Sequence, residues 1–228
     1  MIQEAHKAYN EQDFEKAFNL YTQLSDADNA DAITSLAYMY QNGQGCQKDD
    51  AKALALYEKA AQSKQPYALY NLGVLYMNGL GGVVHDQFKA HELFMEAAVR
   101  EVVPAMYEVA LMLERGLGCV QNYSESAFWY EEGAKRGHAE SFNNLGTLYK
   151  EGHGVVQDDA RCFICFSRAA EAGLPEGLYN LGLLYDQGVG CEMDNDKALD
   201  YCRQAAYKGH AKAKEIIRGL QDDGKIVF

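Results

Sequence analysis

Three absences restrict what this chain of 228 residues can be. It contains only three prolines, so there is little to interrupt helices. It has no run of 18 or more apolar residues, which argues against a membrane-spanning helix. Its first residues, Met-Ile-Gln-Glu-Ala-His-Lys, lack the basic, apolar and small segments of a secretory signal peptide. These features predict a cytoplasmic protein, or a periplasmic or secreted one if a leader has been removed.

Positive charge is also scarce. The chain has 21 Lys and Arg against 33 Asp and Glu, a formal net charge of -12. No basic stripe is present that could displace the counterions of a phosphate backbone, so a nucleic-acid partner is not expected. The same balance disfavours anionic membrane surfaces and membrane insertion. A neutral or basic protein or peptide partner fits the charge best; the oligomeric state is left open.

What the sequence does have is a block of about 36 residues that recurs five times. Each block is marked by a Gly-x-Gly pair. The pairs are Gly43/Gly45, Gly79/Gly81, Gly116/Gly118, Gly152/Gly154 and Gly188/Gly190. Such repetition is typical of a stack of like units that presents one long surface and no single deep cleft. The pattern favours a binding scaffold over an enzyme.

Each block reads as two helices. The first carries Leu-Gly or a near equivalent, with an aromatic or large apolar residue three positions later, as in Leu72-Gly73 and Tyr76. This spacing places the three side chains on one helix face. The first glycine of Gly-x-Gly then ends the helix, because a left-handed residue is needed there and glycine adopts it without strain. The extra residue near Gly82 in the second block is expected to lie in the loop.

The second helix begins at a recurrent capping residue. The capping residues are Asp13, Asp49, Asp86, Asn122, Asp158 and Asp194. Such side chains accept hydrogen bonds from the free amides of a helix start. A small residue follows four positions later, and a pair of larger ones comes three and four positions after that. The pairs are Leu20-Tyr21, Leu56-Tyr57, Leu93-Phe94, Trp129-Tyr130, Cys165-Phe166 and Tyr201-Cys202.

The two ends of the chain depart from the block. The N-terminal segment has the second-helix pattern without a Gly-x-Gly, which predicts an atypical first unit. Residues 211–220 resemble a first helix without its partner, which predicts a capping helix with a polar outer face. Residues 221–228 are predicted to be a tail, with Ile226-Val227-Phe228 as its only apolar stretch.

These motifs resemble the Sel-one-like repeat, a relative of the tetratricopeptide repeat. Two stretches carry the likeness best: Asn71-Leu72-Gly73 with Tyr76, and Asn144-Leu145-Gly146 with Tyr149, each followed by its Gly-x-Gly. The resemblance covers residues 1–220 as one domain. It implies an all-α fold, namely a right-handed α/α solenoid of about six helix hairpins plus the C-terminal capping helix. It also implies a non-enzymatic scaffold for protein–protein interaction.

The resemblance also indicates where a partner would bind. In related helical solenoids the first helix of each unit lines a concave groove, and matched positions here define twelve candidate residues. They are Tyr70, Asn71, Val74, Tyr107, Glu108, Leu111, Asn143, Asn144, Thr147, Tyr179, Asn180 and Leu183. An asparagine amide both donates and accepts, so it can hold the main chain of an extended peptide. The alternative is that these asparagines bridge neighbouring helices within the stack.

Two other functions stay open at this stage. The chain could be a structural or regulatory module that uses its convex face or its ends. It could also be a thiol redox or metal protein that uses Cys162, Cys165 and Cys202. The second is disfavoured because Cys162 and Cys165 lie inside a helix, not at a helix start where a thiolate is stabilised. Reduced cysteines, no cofactor, no metal and no catalytic residue are expected.

Overall fold

The computed structural model describes residues 1–222, and these form thirteen α-helices with no strand among them. The helices are α1 (Ile2–Asn10), α2 (Phe14–Asp26), α3 (Ala30–Asn42), α4 (Asp50–Gln62), α5 (Pro66–Asn78), α6 (Gln87–Ala98), α7 (Val103–Arg115), α8 (Tyr123–Lys135), α9 (Ala139–Glu151), α10 (Asp159–Glu171), α11 (Pro175–Gln187), α12 (Asn195–Tyr207) and α13 (Ala211–Asp222). The prediction of an all-α hairpin repeat is confirmed. We call the first helix of each block A and the second B.

The helices form two compact units. The first is Met1–Gln121 and the second begins at Asn122. In the first unit, α1/α2, α3/α4 and α5/α6 pack as hairpins, and each B helix also packs against the next A helix, up to α7. In the second unit, each helix from α8 to α13 packs against the next one in the chain. That residues 1–220 act as one domain stays a prediction.

The B helices begin and the A helices end where the sequence predicts. Each of the six capping residues precedes its B helix and accepts a hydrogen bond from the amide three positions on. The first glycine of every pair ends its A helix in the left-handed conformation, with φ between 63° and 71°. The extra residue of the second block lies in the loop from Gly79 to Asp86, as predicted.

The core is formed by both helices of each block, and the recurrent residues of the B helices are part of it. The small residue of the pattern is fully buried in the first five blocks, where it is Ala17, Ala53, Ala90, Ser126 and Cys162. The second residue of the larger pair, which we call the ring position, is Tyr21, Tyr57, Phe94, Tyr130, Phe166 or Cys202. All six are buried. At two blocks the ring lies over the A-helix glycine: Phe94 over Gly73 and Phe166 over Gly146.

The second glycine of each pair has a packing role that the sequence analysis did not assign. Gly154 approaches the start of the preceding B helix so closely that a Cβ atom there would overlap the backbone carbonyl of Tyr123. Gly45, Gly118 and Gly190 make the same approach to the B helix before them. In these four cases the loop lies directly against the backbone of the preceding block.

The C-terminal helix extends slightly beyond its predicted end. Helix α13 runs to Asp222, two residues past the predicted boundary at 220, and it buries Ala213 and Ile217. The rest of the predicted tail, with Ile226-Val227-Phe228, lies outside the described residues.

Candidate functional site

The twelve candidate residues lie on four A helices. Helices α5 and α7 carry those of the first unit, and α9 and α11 carry those of the second unit. All twelve are half-buried: none belongs to the core and none is fully exposed. This intermediate burial fits side chains that line a shallow surface. The two units are described in turn.

In the first unit, aromatic and polar side chains converge on a pocket of about 390 Å³. Its lining residues are His6, Tyr9, Tyr21, Thr34, Ser35, Tyr38 and Asn71. Asn71 is the one candidate residue among them, and Ser35 occupies the same register one block earlier. Tyr38 is 43% exposed and packs edge-on against Tyr9, with ring centroids 6.5 Å apart. The pocket therefore offers aromatic surface beside an amide.

Two tyrosines of this pocket, Tyr9 and Tyr21, form hydrogen bonds within the protein. Burial raises the pKa of Tyr21 and of Tyr9, while hydrogen bonds with Ser35 and Gln44 respectively lower it in part. The Tyr9 hydroxyl donates to Gln44 Oε1 over 3.0 Å. Asn71, in contrast, makes no side-chain hydrogen bond within the described part of the chain. Its amide is available to a ligand.

Glu108 stands where most other blocks have asparagine. Burial raises its pKa, and the nearby charge of Arg115 lowers it in part. The pKa of Tyr70 is also raised, first by burial and then by the negative charge of Glu108. Tyr70 packs against Phe94 with ring centroids 5.7 Å apart, so one face of this candidate is already covered. The half-buried Glu108 carboxylate places negative charge on the A-helix surface of the first unit.

In the second unit, the candidate asparagines bond to one another. Asn180 Nδ2 donates to Asn143 Oδ1 over 2.8 Å, which joins α11 to α9. Asn143 Nδ2 donates to Asn144 Oδ1 over 3.2 Å, and Asn144 Nδ2 donates to the Tyr130 hydroxyl over 2.9 Å. The alternative anticipated from the sequence, that asparagines bridge neighbouring helices, describes these three residues. Each amide still has hydrogen-bonding capacity beyond the bonds in this chain.

A second pocket, of about 550 Å³, lies at the end of this asparagine chain. Asn143, Tyr179 and Asn180 line it together with residues of the loop before α13 and of its first turn. The Tyr179 ring stacks on His210 with centroids 4.3 Å apart. Tyr179 therefore has one face against the protein and is not a freely projecting ring.

Two recurrent features at the ends of the A helices went unassigned at the sequence level. His138 and His210 each accept a backbone hydrogen bond through Nδ1, from Ser141 and Ala213, and so cap α9 and α13. Burial lowers the pKa of His138, and Glu140 raises it in part. The signal was present in the sequence, since the two histidines share one register.

The cysteines that follow the second glycines have a similar local role. The Cys46, Cys119 and Cys191 thiols donate to carbonyls of the preceding A helix over 3.5–3.6 Å. All six cysteines are free thiols in the structure. Burial raises the pKa of Cys162 to about 11 and that of Cys165 to about 12. Such thiols are poor sources of a thiolate near neutral pH.

No group of three or more His, Cys, Asp or Glu in residues 1–222 is arranged to hold a metal ion. Over the same range, none of the helices combines the length and the apolar character required to cross a membrane.

Comparison with protein families identifies the repeat. The model of the Sel1 repeat matches residues 11–29, 30–64, 66–98, 103–138, 139–174 and 175–210. The chain belongs to the Sel1 repeat family. This is the Sel-one-like repeat that the sequence resembles. The last five matches each cover an A–B block from α3/α4 to α11/α12, and the first covers α2 alone. The first match is the shortest, in keeping with an atypical first unit.

Solved structures agree with this assignment. The chain is 26% identical to a Sel1 repeat protein from Oxalobacter formigenes, with a TM-score of 0.90, over 96% of this chain and 87% of that one. It is 28% identical to c5321, a protective antigen of uropathogenic Escherichia coli with an SLR fold, with a TM-score of 0.82. That match covers 92% of this chain but only 45% of c5321. A comparison with curated proteins finds no match.

A more distant likeness concerns the fold alone. YrrB, described as a TPR protein with an unusual peptide-binding site, is 17% identical, with a TM-score of 0.53 over 87% of this chain and 97% of that one. Sel1 and TPR-like repeat folds are commonly protein-interaction scaffolds, and Sel1 repeat proteins are generally non-catalytic.

Proposed function

We propose that this Sel1 repeat protein is a non-enzymatic adaptor that binds an extended segment of a protein partner along its A helices. The observation that carries the proposal is the first-unit pocket. There, Tyr9, Tyr21 and Tyr38 surround an Asn71 amide that has no side-chain partner within the described residues. Tyr38 is the exposed ring among them, and an exposed aromatic ring next to a free amide can anchor a peptide side chain and hold its main chain.

The first unit is the better place for direct contact than the second. An asparagine that already bonds within the protein gains less from a ligand than one that does not. Asn143, Asn144 and Asn180 bond to one another or to Tyr130, whereas Asn71 is unpaired in the described structure. The likeness to YrrB, whose description names a peptide-binding site, supports this class of ligand through the fold only.

Charge indicates the character of the partner. The net charge is -12, and Glu108 presents a half-buried carboxylate on the A-helix surface. A neutral or basic segment avoids repulsion, and a basic one is attracted at long range. Such attraction is screened over a Debye length of about 8 Å at physiological ionic strength. Binding of a basic segment should therefore weaken as salt rises.

Selection of a random peptide library on the purified chain tests the proposal. We expect selected peptides to lose about tenfold in affinity or more for Tyr38→Ala and for Asn71→Ala, because both side chains line the pocket. Tyr67→Ala is the matched control. Tyr67 is 56% exposed on α5 outside the pocket, so its loss should leave the affinity unchanged.

One result of this experiment would contradict the proposal. Peptides whose affinity is the same for the wild type and for both folded pocket variants would place binding elsewhere. Circular dichroism and melting temperature establish whether each variant is folded.

A further inference from the structure

One block of the repeat lacks the ring that fills the other five. At the ring position the first five blocks have Tyr21, Tyr57, Phe94, Tyr130 and Phe166, each at most 2% exposed. The sixth block has Cys202. A thiol is much smaller than a benzyl group, so the last block carries less side chain at a position that otherwise holds an aromatic ring.

The surroundings of the A-helix glycine also differ in this block. A Cβ atom on Gly73 would meet the Phe94 ring at 2.7 Å, and one on Gly146 would meet the Phe166 ring at 3.0 Å. At the equivalent Gly182, none of the three atoms nearest to a built Cβ belongs to a ring. Its nearest neighbours would be the Ala198 carbonyl oxygen, Tyr201 Cβ and the Cys202 backbone nitrogen, at 3.1–3.5 Å.

A pocket of about 600 Å³ lies at this place, between α11, α12 and α13. Gly182 and Cys202 line it together with four aliphatic side chains. These are Leu183, Leu199, Ile216 and Leu220. Ile216 is 41% exposed, so the pocket opens to solvent. The Cys202 thiol contacts the Ala213 carbonyl oxygen at 3.9 Å, which keeps it against α13.

The chemistry of the pocket selects its occupant. Its walls are mainly aliphatic, while Asp186 and Asn195 supply polar groups among the lining residues. Phe94 over Gly73 and Phe166 over Gly146 show that a ring fits over the equivalent A-helix position in two other blocks. An aromatic side chain from outside would restore the dispersion contacts that the missing ring leaves unmade.

We propose that this pocket, which we call the vacant ring pocket, binds an aromatic side chain of the protein partner. Two of its lining residues, Tyr179 and Leu183, are also candidate groove residues, so the pocket adjoins the candidate positions of the second unit. The inference rests on that proposed function and adds to it the class of side chain that the partner must offer.

The test uses a small probe so that it does not depend on knowing the partner. N-acetyl-phenylalanine methylamide is titrated into the full chain and followed by NMR, with N-acetyl-alanine methylamide as the matched ligand. We expect saturable binding of the phenylalanine probe alone. Cys202→Phe, which supplies the missing ring from within, should weaken binding by about tenfold or more.

Two further variants keep the result interpretable. Ile216→Glu places a carboxylate on the pocket wall at a part-exposed position, so it should also weaken binding of the probe by about tenfold. This variant tests the pocket even if Cys202→Phe folds poorly. Ile164→Phe adds a ring at a residue that is 56% exposed on α10, outside the pocket, and should leave binding unchanged.

Three outcomes would overturn the proposal. One is that the probe fails to saturate the full chain. Another is that Ile216→Glu and Cys202→Phe, both folded, bind it as the wild type does. A third is that binding appears only when the chain is shortened to end at Asp222, which would assign the pocket to residues of the chain itself. Asn71→Ala separates the two proposals, because it should weaken the binding of selected peptides without changing the binding of the probe.

Discussion

At the scale of single residues, the two glycines of each pair have different physical roles. Gly152 ends α9 in the left-handed conformation, and a Cβ there would meet Gln157 Cβ at an ordinary 3.4 Å. Gly154 is also left-handed, with φ of 70°, but it has the Tyr123 carbonyl directly against it. The first glycine is required by its conformation alone, and the second by conformation and space together.

This difference predicts unequal costs for one substitution. Gly81 has the same register and nearly the same φ as Gly154, yet its nearest neighbour, the Asp50 carbonyl oxygen, is 3.3 Å from a built Cβ. Left-handed strain costs roughly 1–2 kcal/mol in both, and overlap adds about 1–3 kcal/mol for Gly154→Ala. Urea denaturation should therefore show a clearly larger decrease in the free energy of unfolding for Gly154→Ala than for Gly81→Ala. Equal losses would show that the loop moves away freely.

A second prediction at this scale concerns Glu108. Because burial raises its pKa in the fold, the stability linked to its protonated form is complete below the unfolded pKa and is lost as pH rises through the folded pKa. Glu108→Gln should therefore raise the urea midpoint at neutral pH, with little gain near pH 4. Glu58→Gln, at an exposed residue of α4, is the control. A midpoint unchanged at neutral pH would contradict the desolvation argument.

At the scale of a helix, the recurrent capping residues define where each B helix begins. Asp158 accepts a hydrogen bond from the Arg161 amide over 2.9 Å at the start of α10. Asp158→Ala should cost about 1 kcal/mol in the free energy of unfolding. Asp159→Ala removes a neighbouring carboxylate that is not the cap, so it should cost only a few tenths of a kcal/mol. Similar losses for the two variants would mean that charge at the helix start, and not capping, is what matters.

At the scale of the whole molecule, the buried thiols predict an alkaline limit to stability. The pKa of Cys162 is raised to about 11 and that of Cys165 to about 12 from an ordinary value of 9.0. The folded chain keeps both protons while the unfolded chain releases them, so stability falls as pH rises from about 9 through the folded values.

Cys162→Ala tests this linkage with little disturbance, because alanine occupies the same register at Ala17, Ala53, Ala90 and Ala198. The variant should lose less stability than the wild type between about pH 8 and about pH 10, as measured by urea midpoints under reducing conditions. Parallel pH profiles for the two proteins would show that ionisation of this thiol does not contribute.

The sequence by itself determined the helices, their ends and the family. These follow from interactions within one block: the Asp or Asn cap bonds three residues along the chain, and the left-handed glycine acts on the turn that it ends. The cap recurs six times and the glycine five times, which makes such local signals unambiguous. The candidate positions on the A helices were also predictable by register, and all twelve lie at the half-buried surface.

Only the tertiary structure decided which of those positions are available to a partner. Asn71 and Asn180 look alike in the sequence, but Asn180 reaches Asn143 across two helices while Asn71 reaches no partner in the described structure. The close approach of Gly154 to Tyr123 and the approach of α12 atoms to Gly182, where two other blocks have a ring, are likewise contacts between helices or blocks. A repeat pattern specifies what each block contains. The space between side chains depends on what the neighbouring helix brings to it.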